Sequence, residues 1–272
     1  MHILFIGYGK TSQRVAKHLF EQGHHISTIS RSPKTDCYAT HYIQDVQQLD
    51  LTSFPPIDMV YVILAPAEIG VAAYRQTYVE SVQPIAEALK QHPVQRIVIV
   101  SSTRVYGESE GQRIDDESVI QPVDEQGHLL RKMELLWQDY YPQQSIIVRP
   151  TGIYGNSIAR LKRLAEQTQT YPAFHFSNRI HMDDLARFLA FLVDIQTFES
   201  SYIVTNNIPI PMHEILLWFQ QKLGLPLLKL SSEHHTGKQI FATRLAKTNF
   251  KLNHPICFND YAELLHVHSN EK

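Results

Sequence analysis

The chain opens on the apolar run Ile3-Leu4-Phe5-Ile6, and Gly7-Tyr8-Gly9-Lys10-Thr11-Ser12 follows it directly. A β-rich run that ends in G-x-G-x-x-small and leads into an amphipathic stretch restricts the fold more than any other feature of the sequence. Gly7 allows a tight turn, Gly9 lets the backbone approach a pyrophosphate, and Ser12 is small enough for close helix–strand packing. Backbone N–H groups at the start of the next helix then face the anion. Lys10 and Thr11 lie in that same first turn. A plain β–turn–α packing motif has the same spacing. The place of this turn, at the first strand–helix junction, is what points to dinucleotide binding.

Five short apolar runs, Ile3–Ile6, His25–Ile29, Met59–Leu64, Ile97–Val100 and Ser145–Val148, alternate with helical patterns at Ser12–Gln22, Val71–His92 and Leu129–Tyr140. Near-continuous apolar strands are those buried on both faces of a parallel sheet. The expected fold class is therefore α/β: a Rossmann-type doubly wound parallel sheet with a smaller C-terminal α/β substrate lobe. After Pro150 the regularity falls. Asp183–Val193 reads as a helix with carboxylates at its start, and Tyr202–Val204 reads as a strand. Pro211–Leu223 reads as a helix stopped by Gly224 and Pro226. The tail from His268 is polar and expected to fray. Residues 1–155 are expected to form the dinucleotide-binding domain, with 183–205 returning to it; 156–182 and 206–267 form the smaller lobe.

Composition narrows the partners. The net charge is −2 and no cationic stripe is present, which argues against nucleic acid and against an anionic membrane surface. The fifteen histidines are scattered, some in pairs such as His24-His25 and His234-His235, without metal-ligand spacing, so no metal is expected. Cys37 and Cys257 are isolated, as in reduced thiols of the cytosol. No charged n-region precedes a cleavage site, and the first apolar run is interrupted at Gly7. A cytoplasmic location without a membrane span is the expectation.

The second strand ends in Ser30-Arg31-Ser32. An NAD site places Asp or Glu here to bond the ribose 2′-hydroxyl, whereas a guanidinium suits a 2′-phosphate. NADP(H) is the preferred cofactor and NAD(H) stays open. The competing reading of Arg31 is a solvated surface residue.

Three further stretches carry a family resemblance: Ser101-Ser102-Thr103-Arg104-Val105-Tyr106-Gly107, Arg149-Pro150-Thr151-Gly152-Ile153-Tyr154-Gly155, and Asn178-Arg179-Ile180-His181-Met182-Asp183-Asp184. With the glycine turn, they resemble the extended branch of the short-chain dehydrogenase/reductase superfamily, the NAD-dependent epimerase/dehydratases. The resemblance implies a cofactor laid across the carboxyl ends of the strands. Leu64, Ala65, Pro66, Asp45, Ser101, Pro150 and Thr151 then join the glycine turn and Ser30–Ser32 as cofactor contacts. It also implies that Ser102 polarises a substrate carbonyl or hydroxyl.

The same family carries a Tyr-x-x-x-Lys dyad, in which the lysine cation lowers a tyrosine pKa of about 10 so that it can act as acid and base. Aligning Gly127 and Glu134 with the family's usual glycine and glutamate puts Gln126 in the tyrosine slot and Leu130 in the lysine slot. An amide does not titrate and leucine carries no charge. The chain thus resembles the atypical group related to bacterial YeeZ-type proteins. His128 titrates near neutral pH and shares a helical face with Lys132, a displaced base–cation pair or simply a solvated face.

Two functions follow as expectations. One is an NAD(P)-dependent oxidoreductase or epimerase-like enzyme acting on a nucleotide sugar or another small carbonyl compound. The alternative is a non-catalytic NADP(H)-binding sensor or regulator of the same fold. The resemblance also implies a homodimer through the Val71–His92 and Leu129–Tyr140 helices.

Overall fold

A computed structural model of the chain describes residues 1–107 and 109–270, with side chains as far as residue 266. In chain order the elements are β1 (His2–Ile6), α1 (Lys10–Glu21), β2 (His25–Ser30), β3 (Thr40–Ile43), β4 (Met59–Val62), α2 (Val71–Tyr74), α3 (Val82–Leu89), β5 (Arg96–Val100), β6 (Glu110–Ile114), α4 (Glu125–Tyr140), β7 (Ser145–Pro150) and β8 (Gly152–Tyr154). There follow α5 (Ala159–Gln167), β9 (Thr170–Tyr171), β10 (Phe174–Ser177), β11 (Arg179–His181), α6 (Met182–Phe191), β12 (Ser201–Val204), β13 (Ile210–Pro211), α7 (Met212–Leu223), β14 (Lys229–Leu230), β15 (His235–Ile240), α8 (Thr243–Ala246) and α9 (Cys257–Asn270). The tail expected to fray from His268 lies, in its side chains and last two residues, outside the described residues.

Two compact units divide the chain. The first comprises Met1–Gly107, Ile120–Arg149 and Leu185–Tyr202; the second comprises Glu108–Val119, Pro150–Asp184 and Ile203–Lys272. The expected first domain, 1–155, therefore differs from the observed one in two places. Its segment 108–119 falls in the second unit, because β6 pairs with β15 there. The boundary itself lies at Arg149.

The first unit is built on a seven-stranded sheet of order β12-β7-β5-β4-β1-β2-β3. From β3 through β7 the pairings are parallel. Every residue of β1, β4 and β7 is buried, which is why these strands read as unbroken apolar runs. The chain builds outward from β1 through β2 to β3, then returns to add β4, β5 and β7 on the other side. The order reverses between β1 and β4, the place where open α/β sheets form their ligand crevice. Helix α1 seals one face by burying Ser12, Val15, Ala16 and Leu19, an i, i+3, i+4, i+7 stripe.

The pattern Val71–His92 predicts one continuous helix, and the structure breaks it. Helix α2 runs into a π-helical turn, Arg75–Val79, before α3 starts at Val82. Pro84 has no N–H to give Glu80, and its ring crowds that carbonyl, so a regular helix cannot run through this point. Pro84 instead falls in the first turn of α3, where it is tolerated.

In the second unit, β10 pairs antiparallel with β13 and parallel with β15, which in turn pairs with β6. Its core gathers Ile158, Leu161, Ile215, Leu216, Phe219 and Tyr261 from α5, α7 and α9 and their flanks. The short parallel pair β8 and β11 sets Tyr154 beside His181.

Candidate functional site

A cavity of about 640 Å³ opens at the switch point between β1 and β4, and all its lining residues belong to the first unit. That volume is within the range of small-molecule and cofactor sites. Of the residues expected to contact a cofactor, Gly7, Gly9, Ser30, Arg31, Ser32, Asp45, Leu64 and Ala65 line it.

The glycine turn does two different things. Gly7 has φ +89°, and a Cβ there would lie 2.3 Å from the Ile63 carbonyl oxygen, so the protein itself demands glycine. Gly9 is in an extended conformation that any residue can adopt, and a Cβ there would meet no protein atom within 4 Å. The space in front of Gly9 is kept open although nothing inside the chain requires it. Gly9 is also the N-cap of α1, without a side-chain cap, and no acidic residue stands in the first turn. Uncapped N–H groups and the positive end of the helix dipole make this a place for an anion. Lys10 and Thr11 begin the helix beside it. Ser12 is fully buried, and its hydroxyl donates to the Gly7 carbonyl at 2.8 Å, locking the turn from behind.

The far wall is basic. Arg31 and Lys34 both line the cavity, and neither has a partner among the described residues. Lys34 did not emerge from the sequence, although its place three residues after Arg31 was available as a signal. Asp45 also lines the wall and caps the short turn Val46–Gln48 by accepting the Gln47 N–H at 2.9 Å. Opposite, the π-turn brings Gln76 and Thr77 to the cavity. No sequence pattern announces a π-turn, but such turns recur at functional sites because they redirect side chains off the regular helical face.

The other expected contacts lie elsewhere. Pro66 sits between the lining residues Ala65 and Ala67 but does not itself line the cavity. The Ser101 hydroxyl donates to Glu134 Oε1 at 2.7 Å, inside a closed network. Glu134 is fully buried and receives two bonds from Arg149, both at 2.9 Å, and one from Arg131 at 3.1 Å. Arg149 also donates to the Tyr106 hydroxyl at 3.0 Å. Burial disfavours the Arg149 charge, but Glu134 outweighs it and keeps the guanidinium protonated. Pro150 and Thr151 are buried in the second unit, and the Thr151 hydroxyl faces the Val204 carbonyl at 3.4 Å.

Ser102 is partly exposed and caps the turn Thr103–Val105, its Oγ accepting the Arg104 N–H at 3.2 Å. Arg104 in turn grips Asp124, the N-cap of α4, with 3.0 Å to each carboxylate oxygen. Gln126 is the second residue of α4, partly exposed, and Leu130 is buried at 2% exposure. His128 and Lys132 are both exposed on that helix, away from its buried face of Gly127, Leu130 and Glu134.

The second unit holds a separate titratable cluster. His254 Nδ1 lies 2.6 Å from Asp260, whose other oxygen accepts the Tyr154 hydroxyl at 2.5 Å. The His181 ring stacks on His254 with centroids 3.7 Å apart. The nitrogens and carboxylate oxygens of His181, His254 and Asp260 approach within 4.8 Å of one another. A metal lies in the plane of each ligating imidazole, and two stacked rings do not share such a point. Burial, then the neighbouring His254, holds the His181 pKa below its ordinary value. Cys257 is buried with its thiol pushed up to about 11, and Cys37 is exposed; both are free.

Comparison with known proteins settles the family. Residues 7–194, from the glycine turn to just past the end of α6, match the model of the NAD dependent epimerase/dehydratase family. The chain belongs to that family. Within it, the chain is 27% identical over 186 residues to protein YeeZ of Escherichia coli K12, a match covering 65% of each. The chain thus spans about two thirds of the length of the curated relatives it matches. A solved structure from Methylobacillus flagellatus that carries the family's name superposes with a TM-score of 0.84 at 29% identity, covering 98% of both chains. UDP-glucuronic acid 4-epimerase of Bacillus cereus in complex with NAD shares the fold at 16% identity, with a TM-score of 0.75 and coverage of 93% and 94%. Among the described residues, no helix is long and apolar enough to cross a membrane.

Proposed function

We propose that the cavity at the β1–β4 switch point binds NADP(H), and that the chain is an oxidoreductase or epimerase/dehydratase-like enzyme acting on a nucleotide sugar or another small carbonyl compound. One observation carries the cofactor reading: the open space before the uncapped start of α1 faces the same cavity as two cations, Arg31 and Lys34, that have no ion-pair partner among the described residues. Backbone N–H groups after Gly9 hold the pyrophosphate, and Arg31 takes the 2′-phosphate in a charge-assisted contact. A nicotinamide held there would supply the chemistry of hydride transfer to or from the substrate carbon. Ser102 orients the substrate oxygen, and the proton comes from water or from a side chain not yet assigned. The family supports a nicotinamide cofactor, and the NAD-bound UDP-glucuronic acid 4-epimerase of Bacillus cereus, which shares the fold, is what suggests nucleotide sugars among the substrates to test.

Leu130 favours a second reading. A buried leucine where the family's lysine is expected leaves no cation to lower the pKa of a proton donor, as in a protein that binds NADP(H) without turning it over. The two readings separate in one experiment. NADPH should raise the melting temperature more than NADH, and Arg31→Asp should weaken NADPH about tenfold while sparing NADH. NADPH oxidation across a panel of carbonyl compounds then tests catalysis. Binding without oxidation favours the sensor, and oxidation that survives Ser102→Ala removes Ser102 from the mechanism. Equal loss of NADH and NADPH in Arg31→Asp shows that Arg31 does not read a 2′-phosphate.

A further inference from the structure

Between β2 and β3 the chain runs from Arg31 to Ala39 with no helix or strand. Arg31 and Lys34, which line the cavity, belong to this irregular segment. Long cationic side chains on an unsupported loop would lose much conformational entropy on gripping a ligand. The segment does have one fixed point, Asp36. Its Oδ1 accepts the Tyr8 hydroxyl at 3.0 Å and the Tyr38 N–H at 3.2 Å. Its backbone carbonyl bonds His41 Nε2 at 3.0 Å, and His41 Nδ1 is 2.8 Å from Thr28 Oγ1 on β2.

Tyr8 is the middle residue of the glycine turn and only 3% exposed. Its ring packs edge-on against Phe5 and tilts over His41. Burial and the Asp36 carboxylate both push the Tyr8 hydroxyl up, so it stays a donor at any physiological pH. The glycine turn is therefore tied, through one side-chain bond, to the loop that carries Arg31 and Lys34.

We propose that the Tyr8–Asp36 hydrogen bond fastens the 31–39 segment to the glycine turn, making Tyr8 a positioning residue that sets Lys34, alongside Arg31, to read a phosphate monoester on the adenosine ribose. This rests on the cofactor reading above. It goes further by assigning Lys34 as the second cation and by making discrimination depend on a hydrogen bond between the glycine turn and the basic loop. The glycine turn and the basic loop then act as one rigid frame, so ligand binding no longer has to order the loop.

The test is calorimetric titration of the full chain with adenosine 2′,5′-bisphosphate and with AMP. Lys34→Gln should raise the bisphosphate Kd about tenfold and leave AMP unchanged. Tyr8→Phe keeps the ring packing and removes only the donor; it should cut the bisphosphate-to-AMP preference about fivefold, with AMP affinity held. Asp36→Ala should reproduce that loss, Asp36→Asn should restore most of it because the amide oxygen still accepts, and the Tyr8→Phe/Asp36→Ala double variant should add nothing to either single one. Melting without nucleotide checks that each variant is folded, and Asp36→Ala serves where Tyr8→Phe is not. An unchanged preference in both variants, or equal weakening of the two ligands, overturns the clasp. Unchanged bisphosphate affinity in Lys34→Gln overturns the second cation. Wild-type protein that binds neither ligand overturns the cofactor reading itself, an outcome distinct from all of these.

Discussion

Two polar regions of the first unit stand at strand ends and are built in opposite ways. Around Glu134 the polar groups answer one another: Ser101, Arg131 and Arg149 all donate to one buried carboxylate, and Arg149 reaches on to Tyr106. Along the cavity several donors are left over: the first N–H groups of α1 lack a side-chain cap, and Arg31 and Lys34 lack partners among the described residues. A closed network rigidifies the scaffold, because an unanswered buried group is costly. An open set of donors in a concave wall is stable only because water, or a ligand, completes it. The region with chemistry to offer is therefore the one with unspent donors, and the S-S-T-R segment shows both cases side by side. Ser101 is spent on the scaffold while the neighbouring Ser102 stays partly exposed.

That contrast can be broken at either end. The largest effect is expected at Glu134: Arg149→Met leaves a buried carboxylate without its bidentate partner and should cost about 3–5 kcal/mol of stability, measured by denaturant unfolding. A loss of less than about 1 kcal/mol would mean that the network is not a scaffold. At the open end, Gly9→Val should do the reverse. The melting temperature should hold, since a Cβ there meets no protein atom, while NADPH affinity falls about hundredfold. A variant that unfolds would show that Gly9 serves the protein rather than a ligand.

The smallest effect concerns the second unit. His181 has a folded-state pKa below its ordinary value of 6.5, so the unfolded chain binds more protons as the pH falls through that value. The stability this group contributes is fully present above about pH 6.5 and declines on acidification until the folded-state pKa is passed. His181→Gln should flatten the slope of unfolding free energy against pH in that acidic window. An unchanged slope would assign the acid response to other groups.

Much of this was legible in the residues. The glycine turn, the alternation of buried strands with amphipathic helices, and the αL stop at Gly224 are local patterns, set by backbone sterics and periodicity within a few residues. Arg31 was legible because it follows β2 immediately. Lys34 and Tyr8 were not, because their roles depend on how an irregular loop is folded back on the glycine turn. The π-turn escaped for a related reason: the helical period runs through Val71–His92, and the backbone's departure from it is a matter of how Pro84 is accommodated. The place of 108–119 in the second unit was equally hidden, since β6 finds its partner β15 more than a hundred residues later.

By itself, then, the sequence determined the fold class, the glycine turn, and the chemical types of the residues that stand around it and at Ser102. Only the tertiary structure decided which of those groups are spent and which are free. Hydrogen bonds such as Ser101 to Glu134 and Tyr8 to Asp36 join residues 33 and 28 positions apart, and no local rule specifies them. Commitment of a polar group depends on what packs against it in space, and that is settled only when the strands and loops have come together.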